Sequence, residues 1–467
     1  MPEVRTWQLA AGSAAVGLAL AAGAVAAAGP WDSGQRKAEK ERAVAHSRAG
    51  GAHHQPSAPK GPAPAPSAPS VLAAVGAAPA GDGVDSKAAP ADLSRRLGPL
   101  LEDSGLGRLR AASVVDVATG AQLYGKEADA PMVPASTVKI ATSVAALTAL
   151  GPDHRIPTSV VAAEDGESLT LVGGGDPTLD KARLAELADR TAAALRDRGS
   201  RVVRLTYDAS LYKGPARHPI GPNDNIAPVS ALMVNQGRID GSTSGPARRS
   251  DDPAKDAAGV FAQLLAERGV AAKDAPAPGR AAAGSEPVAE VLSPPLSDLV
   301  ERSLTTSDND IAEALARHTA LATDETADFT GAGKAVTRRL AALKLPLKGA
   351  RFADGSGLNR ADRVSAGLLT GLLARAADPA RPELRPVLTG LPVAGFSGTL
   401  QNRSPKTAPG TGPVRAKTGT LSGVNTLAGT VVTPDGRLLA FAFLAGDTAA
   451  PGAAQEALDR LAAALAS

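Results

Sequence analysis

The sequence contains no cysteine, and aromatic residues are rare. The absence of cysteine from all 467 residues removes disulfide bonds, thiolate catalysis and cysteine-ligated metal sites. Aromatic residues make up 2% of the chain, whereas hydrophobic residues make up 43%. A core can therefore form, but Ala, Leu and Val must build it with few bulky side chains. The length is sufficient for two or three domains.

The chain also lacks a large excess of either positive or negative charge. The chain has 50 Lys and Arg against 47 Asp and Glu, which gives a formal net charge of +3. No basic run is interleaved with aromatic residues in the way that a nucleic-acid surface requires. The histidines show neither His-x-x-x-His nor His-Glu-x-x-His spacing. We therefore predict no nucleic-acid partner, no metal site and no cofactor.

The N-terminal part of the chain has the composition of an export segment and a linker. Residues 9–29 are uncharged and rich in alanine, and they follow Arg5. This pattern predicts a signal peptide or an uncleaved signal anchor over residues 1–30. Basic residues within 36–42 would favour the cytoplasm under the positive-inside rule, but the chemistry described below favours an extracytoplasmic body. Residues 31–90 are predicted to form a flexible linker rich in Ala, Pro and Gly.

Hydrophobic periodicity divides the remaining chain into helices and strands. Helices are predicted at 93–101, 183–198, 254–268, 296–304, 311–321, 332–343, 365–376 and 453–465, and strands at 110–117, 122–124, 160–163, 168–172, 202–207, 414–418, 427–433 and 437–444. The chain is thus of the α/β (α+β) class. Residues 91–151 and 286–467 are predicted to form one domain, an antiparallel sheet flanked by helices. Residues 152–285, ending in a linker-like stretch at 276–284, are predicted to form a smaller inserted domain.

A serine is followed three residues later by a lysine at Ser136 and Lys139, and an apolar run continues beyond them. If a helix begins near Ala135, the two side chains share one face. Ser136 then lies in the first turn, where backbone N–H groups lack intrahelical partners. One segment thus offers a nucleophile, a base and an oxyanion donor. Two other Ser-x-x-Lys matches are less favourable: residues 57–60 lie in a proline-rich tract, and residues 210–213 lead directly into Gly-Pro.

Two further motifs follow in a meaningful order. Ser307-Asp308-Asn309 lies at a predicted junction between two helices, and Lys417-Thr418-Gly419 lies in a predicted strand. Each motif alone is more often a plain helix cap or a strand end. Together with Ser-x-x-Lys, in this order, they are typical of penicillin-binding proteins and serine β-lactamases.

The three motifs supply a complete set of groups for acyl transfer. Ser136 needs a base to become a nucleophile, and Lys139 is one turn away. Burial and a neighbouring Lys417 are expected to lower the pKa of Lys139 and favour its neutral amine. Ser307 could relay a proton to the leaving amine, and Asn309 could orient either Lys139 or the substrate amide.

The Lys417 strand is expected to hold the substrate. Lys417, Thr418 and Thr420, with Gly419 between the threonines, would bind a carboxylate through charge and hydroxyl donors. The backbone N–H groups of Ser136 and Thr420 would form the oxyanion hole. The predicted target is therefore an acyl group on a residue with a free C-terminal carboxylate.

The sequence resembles the D-alanyl-D-alanine carboxypeptidase/endopeptidases of the class C low-molecular-mass penicillin-binding proteins (peptidase family S13). The resemblance covers about residues 91–467. It rests on the three motifs and on the segments Val133-Pro134-Ala135-Ser136, Gly174-Gly175-Asp176-Pro177, Ser307-Asp308-Asn309-Asp310-Ile311-Ala312-Glu313, Asp354-Gly355-Ser356-Gly357-Leu358, Leu391-Pro392-Val393-Ala394-Gly395 and Lys417-Thr418-Gly419-Thr420-Leu421. The insert is shorter than in the best-known members, and Asn359 and the pair Phe396-Ser397 depart from the family pattern.

The resemblance implies a transpeptidase-like fold, shared by penicillin-binding proteins and β-lactamases, and a specific activity. The expected enzyme is an exported serine-type D-Ala-D-Ala carboxypeptidase, with possible endopeptidase activity, that trims peptidoglycan stem peptides through an acyl-enzyme on Ser136. β-Lactams would be covalent inhibitors, and only the N-terminal segment would contact a membrane. Two alternatives remain open: a serine β-lactamase, although no glutamate stands out as its deacylation base, and a non-catalytic module that binds penicillin or wall material.

Overall fold

The computed structural model describes residues 88–165, 168–199, 201–403 and 408–467. The predicted signal segment at 1–30, and the predicted linker as far as residue 87, lie outside these residues. In the described part of the chain, no helix combines the length and the apolar character that crossing a membrane requires.

A five-stranded antiparallel sheet forms the framework of the main body. Its strands are β1 (Leu109–Asp116), β2 (Gln122–Lys126), β9 (Val414–Leu421), β10 (Val424–Val432) and β11 (Leu438–Gly446), in the order β2-β1-β11-β10-β9. Strands β10 and β11 are buried along nearly their whole length. Helices cover both faces of the sheet, and this explains why these strands are continuous apolar runs without alternation. The predicted fold class is confirmed.

Helices pack on both faces of this sheet. They are α1 (Ala88–Leu101), α2 (Val138–Leu150), α5 (Leu296–Thr306), α6 (Asn309–Leu321), α7 (Phe329–Ala342), α8 (Ala366–Ala377), α9 (Arg385–Thr389) and α10 (Pro451–Leu465). One core contains residues of α2 and of α5 to α9, and a second core, on the opposite face, contains residues of α1 and α10. Helix α1 begins at Ala88, so we propose that the folded body starts three residues before the predicted boundary at 91.

Helix α2 is the central helix of the larger core. All ten residues from Val138 to Leu147 are buried, including Lys139 and Ser143. A helix buried on every side needs apolar or small residues all round, and the alanine-rich composition of α2 meets this need. A single 3-10 turn, Ala135–Thr137, precedes it. The regular helix therefore begins three residues later than predicted, and Ser136 lies on the tighter turn.

A second sheet belongs to the predicted insert. Its strands are β3 (Pro157–Ala162), β4 (Ser168–Gly173), β5 (Val202–Asp208), β6 (Ala271–Ala272), β7 (Ala277–Pro278) and β8 (Glu286–Leu292), and the insert's helices are α3 (Lys181–Asp197) and α4 (Pro253–Glu267). The strand order is β6-β5-β4-β3-β8, with β7 also pairing with β5. These helices and strands share a hydrophobic core of their own.

Strand β8 changes the proposed boundary of the insert. The strand pairs with β3 from Pro157↔Leu292 to Ala162↔Glu286. The sequence pattern predicts no strand here, and the predicted insert ends at 285. We propose that the insert extends to Leu292, because β8 completes its sheet. The linker-like stretch 276–284 likewise contains the short strand β7.

Candidate active site

The candidate nucleophile lies on the turn that enters α2. Lys139 Nζ is 3.1 Å from Ser136 Oγ. The preceding residue, Ala135, has a φ of +47°, a left-handed conformation that costs a residue with a side chain about 1–2 kcal/mol. Thr137 and Thr426 both donate hydrogen bonds to the Pro134 carbonyl, at 2.7 and 2.8 Å, and hold the turn in place.

Lys139 is fully buried and has three oxygen neighbours. Besides Ser136 Oγ, its amine lies 2.7 Å from Asn309 Oδ1 and 2.6 Å from the Ser356 carbonyl oxygen. Burial lowers the pKa of Lys139 to about 8, against the opposing effect of nearby carboxylates, of which Asp354 contributes most. A neutral amine can donate to Asn309 and Ser356 and still present a lone pair to Ser136.

The Ser307-Asp308-Asn309 segment joins α5 to α6, as the sequence predicts. Ser307 ends α5 in the left-handed conformation, with a φ of +60°. Asp308 is the N-cap of α6 and accepts a 3.0 Å hydrogen bond from the backbone N–H of Ile311. The cap orients both neighbours, so that Ser307 Oγ contacts Lys417 while Asn309 Oδ1 contacts Lys139.

Lys417 lies on β9 and is fully buried. Its amine is 2.8 Å from Ser307 Oγ and 2.8 Å from the Thr418 carbonyl oxygen. Burial, and then the charge of Lys139, lower the pKa of Lys417 well below its usual range. Thr418 and Thr420 line the same cavity as Ser136, and all of Lys417–Thr420 lies within the strand, which the sequence analysis ended at 418.

Two glycines allow the backbone to pack tightly around the Ser136 turn. A Cβ on Gly419 would lie 2.7 Å from the Pro134 carbonyl oxygen and 3.1 Å from the Ser136 nitrogen. A Cβ on Gly357, whose φ is +85°, would overlap the Ala135 carbonyl group and lie 3.0 Å from the Ser136 nitrogen. The two segments therefore fix the turn from two sides only because neither residue has a side chain.

We expect Gly357→Ala to abolish acylation of Ser136 by a fluorescent penicillin, because the new methyl group displaces the Ala135 carbonyl and with it the turn that carries Ser136. Gly436→Ala is the matched control: Gly436 has a φ of +81° and has open space around its Cα. In the control, only the backbone conformation is unfavourable, and this destabilises the fold by about 1–2 kcal/mol. Equal labelling rates in the two variants would contradict the packing role of Gly357. Circular dichroism melts verify that both variants fold.

The insert supplies contacts to the site that no sequence motif indicates. Asn309 Nδ2 donates to the Asn225 carbonyl oxygen at 2.9 Å. Asp310, buried in α6, accepts from the Ala227 N–H at 3.0 Å and pairs with Arg249 at 2.7 Å. Burial, and then the neighbouring Asp308, raise the pKa of Asp310 to about 6. Asn225, Ala227 and Arg249 of the insert thus attach it to the start of α6.

These segments enclose a cavity of about 240 Å³ beside Ser136. Strand β9 contributes Thr418 and Thr420 to its wall, and the α5–α6 junction contributes residues 306–310. The insert contributes Asn225, Arg238, Ser244, Gly245, Pro246 and Arg249. A peptide entering the cavity would meet Ser136, the two threonines and the insert together.

A buried histidine links the insert to the Asp354 segment. His218 and Asp354 are 2.8 Å apart, and the Ile220 N–H donates to His218 Nδ1 at 3.1 Å. Because Nδ1 accepts a hydrogen bond, Nε2 carries the proton and donates to Asp354. His218, Glu313 and Asp354 place three donor atoms within 4.8 Å of one another, as a metal site would. Each atom already has partners in the protein, so we interpret the cluster as a hydrogen-bonded support for Ser356.

Comparison with known proteins decides the family. The profile of the D-Ala-D-Ala carboxypeptidase 3 (S13) family matches residues 93–247 and 239–465. The chain belongs to this family. The S13 chain is 37% identical over 425 residues to a carboxypeptidase of Mycobacterium tuberculosis, covering 86% of this chain and 89% of that protein. It is 29% identical to a D-alanyl-D-alanine carboxypeptidase of an Actinomadura species, covering 74% of this chain and 80% of that protein.

The solved structures agree on the fold. Penicillin-binding protein 4 of Haemophilus influenzae superposes on the S13 chain with a TM-score of 0.65 at 21% identity, covering 79% of this chain and 98% of that one. The expectations of an S13 peptidase, of an enzyme and of a penicillin-binding-protein fold are therefore confirmed. The structure brings Ser136, Lys139, Ser307, Asn309 and Lys417 together, whereas the amine of the competing Lys213 donates to the backbone carbonyl oxygen of Ser210.

Proposed function

We propose that this S13 peptidase is an exported serine-type D-Ala-D-Ala carboxypeptidase that trims peptidoglycan stem peptides through an acyl-enzyme on Ser136. The observation that carries the proposal is the contact of Ser136 Oγ with the buried amine of Lys139, 3.1 Å away. A neutral lysine of this kind can act as the general base of a serine nucleophile.

Attack begins when Lys139 takes the proton of Ser136. The serine oxygen bonds to the carbonyl carbon between the two D-alanines, and the backbone N–H groups of Ser136 and Thr420 stabilise the oxyanion. The leaving amine of the terminal D-alanine receives a proton through Ser307, which contacts Lys417 at 2.8 Å. Water then hydrolyses the acyl-enzyme, and Asn309 keeps Lys139 oriented through its 2.7 Å hydrogen bond.

The β9 strand explains the preference for a free C-terminal carboxylate. Strand β9 is an edge strand of its sheet, so its outer side faces the cavity. Lys417, Thr418 and Thr420 offer one cation and two hydroxyl groups to the carboxylate. A carboxylate bound there would stabilise the protonated form of Lys417, whose pKa burial lowers in the free site.

β-Lactams fit the same site because they present a reactive amide next to a carboxylate. The Haemophilus protein has also been solved with a β-lactam bound, and it superposes with a TM-score of 0.62. Action on peptidoglycan places the body outside the cytoplasm. We propose that residues 1–30, as a signal peptide or an anchor, direct the export. We propose endopeptidase cleavage of a cross-linked stem as a second activity of the same serine.

The decisive experiment measures D-alanine release from diacetyl-L-Lys-D-Ala-D-Ala beside acylation by a fluorescent penicillin. A carboxypeptidase releases D-alanine in many turnovers and forms a slowly hydrolysed penicillin adduct. Stoichiometric labelling without D-alanine release would instead support a non-catalytic penicillin-binding module. Turnover of a chromogenic β-lactam at about 1 s⁻¹ or faster would support a β-lactamase.

We expect the acylation rate to increase with pH around the pKa of Lys139. That pKa is about 8, and only the neutral amine accepts the serine proton. As pH falls through 8, Lys139 becomes protonated and the rate should fall about tenfold per pH unit. The measurement is the second-order rate constant for penicillin acylation between pH 5.5 and 9.5, which reports the free enzyme. A rate that stays constant from pH 6 to 9 would exclude Lys139 as the base.

A further inference from the structure

His218 is a buried histidine of the insert that takes no part in the reaction steps proposed above. It is 2% exposed, and its ring lies edge-on to Phe329, with 5.2 Å between the ring centroids. Its Nε2 donates to Asp354 at 2.8 Å, and its Nδ1 accepts from the Ile220 N–H at 3.1 Å. An imidazole with both nitrogens bonded has one orientation and one tautomer. His218 therefore presents a single N–H group to a single carboxylate.

Asp354 connects this histidine to one peptide group beside the base. Its Oδ1 accepts from the Gly357 N–H at 2.6 Å. The carbonyl oxygen of the same peptide group is that of Ser356, and it accepts from the Lys139 amine at 2.6 Å. Hydrogen bonds in a chain polarise one another, so a carboxylate on the N–H side makes the carbonyl oxygen a stronger acceptor. A continuous chain of hydrogen bonds thus runs from His218 to the base.

The second acceptor of the Lys139 amine is also held by the insert. Lys139 Nζ lies 2.7 Å from Asn309 Oδ1, and Asn309 Nδ2 donates to the Asn225 carbonyl oxygen at 2.9 Å. A neutral amine has two N–H groups and one lone pair. When Asn309 and Ser356 accept the two N–H groups, the lone pair faces Ser136 Oγ, 3.1 Å away. The insert therefore supports both acceptors that determine the direction of the lone pair.

The groups around Asp354 keep it ionised in the protein interior. Burial alone would raise the pKa of Asp354, but its hydrogen-bond donors, of which His218 contributes most, lower that pKa to about 2. Burial, and then the charge of Asp354, raise the pKa of the adjacent Asp362 to about 10, so Asp362 is a neutral acid. Glu313 of α6 is bonded to two backbone N–H groups and to Arg317. Asp354 is therefore the anion that polarises the peptide group.

We propose that His218, acting through Asp354, is a positioning residue that keeps the lone pair of Lys139 directed at the nucleophile. The inference rests on the proposed function, which makes Lys139 the general base. It gives the insert a part in catalysis as well as in the shape of the cavity. The base is competent only when the insert is seated on α6 and on the Asp354 segment.

The test is a double-mutant cycle on acylation by a fluorescent penicillin. His218→Phe keeps an aromatic ring against Phe329 and removes both nitrogens. Because displacement of a catalytic group by 1 Å can slow a reaction about 100-fold, we expect the second-order rate constant at pH 9 to fall about tenfold or more. In the Lys139→Met background, the same substitution should change the residual rate by less than about twofold, since the base through which His218 acts is gone.

The pH profile of acylation gives an independent measurement. A carbonyl oxygen stabilises an ammonium group more than a neutral amine, so a weaker contact with Ser356 should lower the pKa of Lys139. The midpoint in His218→Phe should therefore lie below the wild-type midpoint near 8, by about half a pH unit or more. A smaller folded fraction would lower the rates and leave the midpoint unchanged. The charged groups that face Lys139 are the same in both proteins: Asp308, Asp310, Glu313, Asp354 and Lys417.

Two polar variants test the same contact if His218→Phe does not fold. The amide nitrogen of His218→Gln can occupy the position of Nε2 and donate to Asp354, so this variant should keep at least about a third of the wild-type rate. The shorter side chain of His218→Asn can accept from Ile220 but does not reach Asp354. We expect its rate to fall as far as that of His218→Phe.

His154→Phe is the matched control. His154 is half-buried, and its ring lies 6.3 Å from the ring of His318, outside the chain of hydrogen bonds to Lys139. This variant should keep the rate and the midpoint of the wild type. Melting curves and the end point of penicillin labelling measure the folded fraction of every variant.

Three results would overturn the role of His218. They are a wild-type acylation rate in His218→Phe, an equal loss from this substitution in the wild-type and Lys139→Met backgrounds, and equal rates in His218→Gln and His218→Asn. Failure of the proposed function gives a different result. In that case the wild-type enzyme releases no D-alanine, or Lys139→Met alone is acylated as fast as the wild type.

Discussion

Replacing Ser136 by alanine is expected to remove both penicillin labelling and D-alanine release, the latter by roughly 10³-fold or more. The substitution deletes the oxygen that bonds to the acyl carbon, and nothing else on the turn can replace it. The neighbouring Thr137 is buried, and its hydroxyl donates to the Pro134 carbonyl oxygen. Fold stability should change little, because Ser136 Oγ contributes one contact, at 3.1 Å to Lys139.

The chain offers its own control for this variant. Ser210 also precedes a lysine by three residues, but the amine of Lys213 donates to the backbone carbonyl oxygen of Ser210 and not to its hydroxyl group. Ser210→Ala should therefore label and turn over like the wild type. Mass spectrometry of the penicillin adduct locates the acylated peptide. Labelling that survives in Ser136→Ala would refute the acyl-enzyme proposal.

The second large effect is expected for Lys139→Met. This variant keeps the volume of the buried side chain and removes the amine that contacts Ser136, Asn309 and the Ser356 carbonyl. Loss of a positioned base slows acylation by about 10²–10⁴-fold. The residual rate should no longer depend on pH around 8, since the titrating group is gone. Stopped-flow acylation across the same pH range as for the wild type measures both effects.

Lys213→Met, which replaces an exposed lysine, controls for loss of a lysine in general. It should leave the rate and the pH profile unchanged. A pH profile that persists with a midpoint near 8 in Lys139→Met would assign the titration to another group, and Lys417, 2.8 Å from Ser307, would become the candidate base.

Much of the main body could be predicted from sequence because its signals are local. The run Leu438–Gly446 is apolar throughout, and Pro434-Asp435-Gly436 marks the turn before it, with Gly436 at a φ of +81°. Strand β8 gave no such signal. It contains Pro287, and most of its residues are exposed. Only its pairing with β3, over a hundred residues earlier, makes it a strand.

The candidate site likewise contains residues that the sequence could reveal and contacts that it could not. Ser136, Lys139, Ser307, Asn309 and Lys417 could be found because motif spacing places them on defined elements. Their roles as catalytic groups stay predictions until the variants are measured.

The contribution of the insert to the site could not be predicted from sequence. Arg249 and Asp310 are 61 positions apart, and no sequence motif links the two residues. His218 shows the same limit: only the fold places it against Asp354.

The strand order of the main sheet has a consequence for when activity can appear. Strand β11, near the C-terminus, lies between β1 and β10 and pairs with β1 from Leu109↔Gly446 to Asp116↔Leu439. The sheet therefore cannot close until the chain has been synthesised as far as β11, and contacts so distant in sequence form slowly. A chain that is still emerging has no assembled nucleophile and cannot be acylated. Penicillin labelling would thus mark only chains that have completed folding.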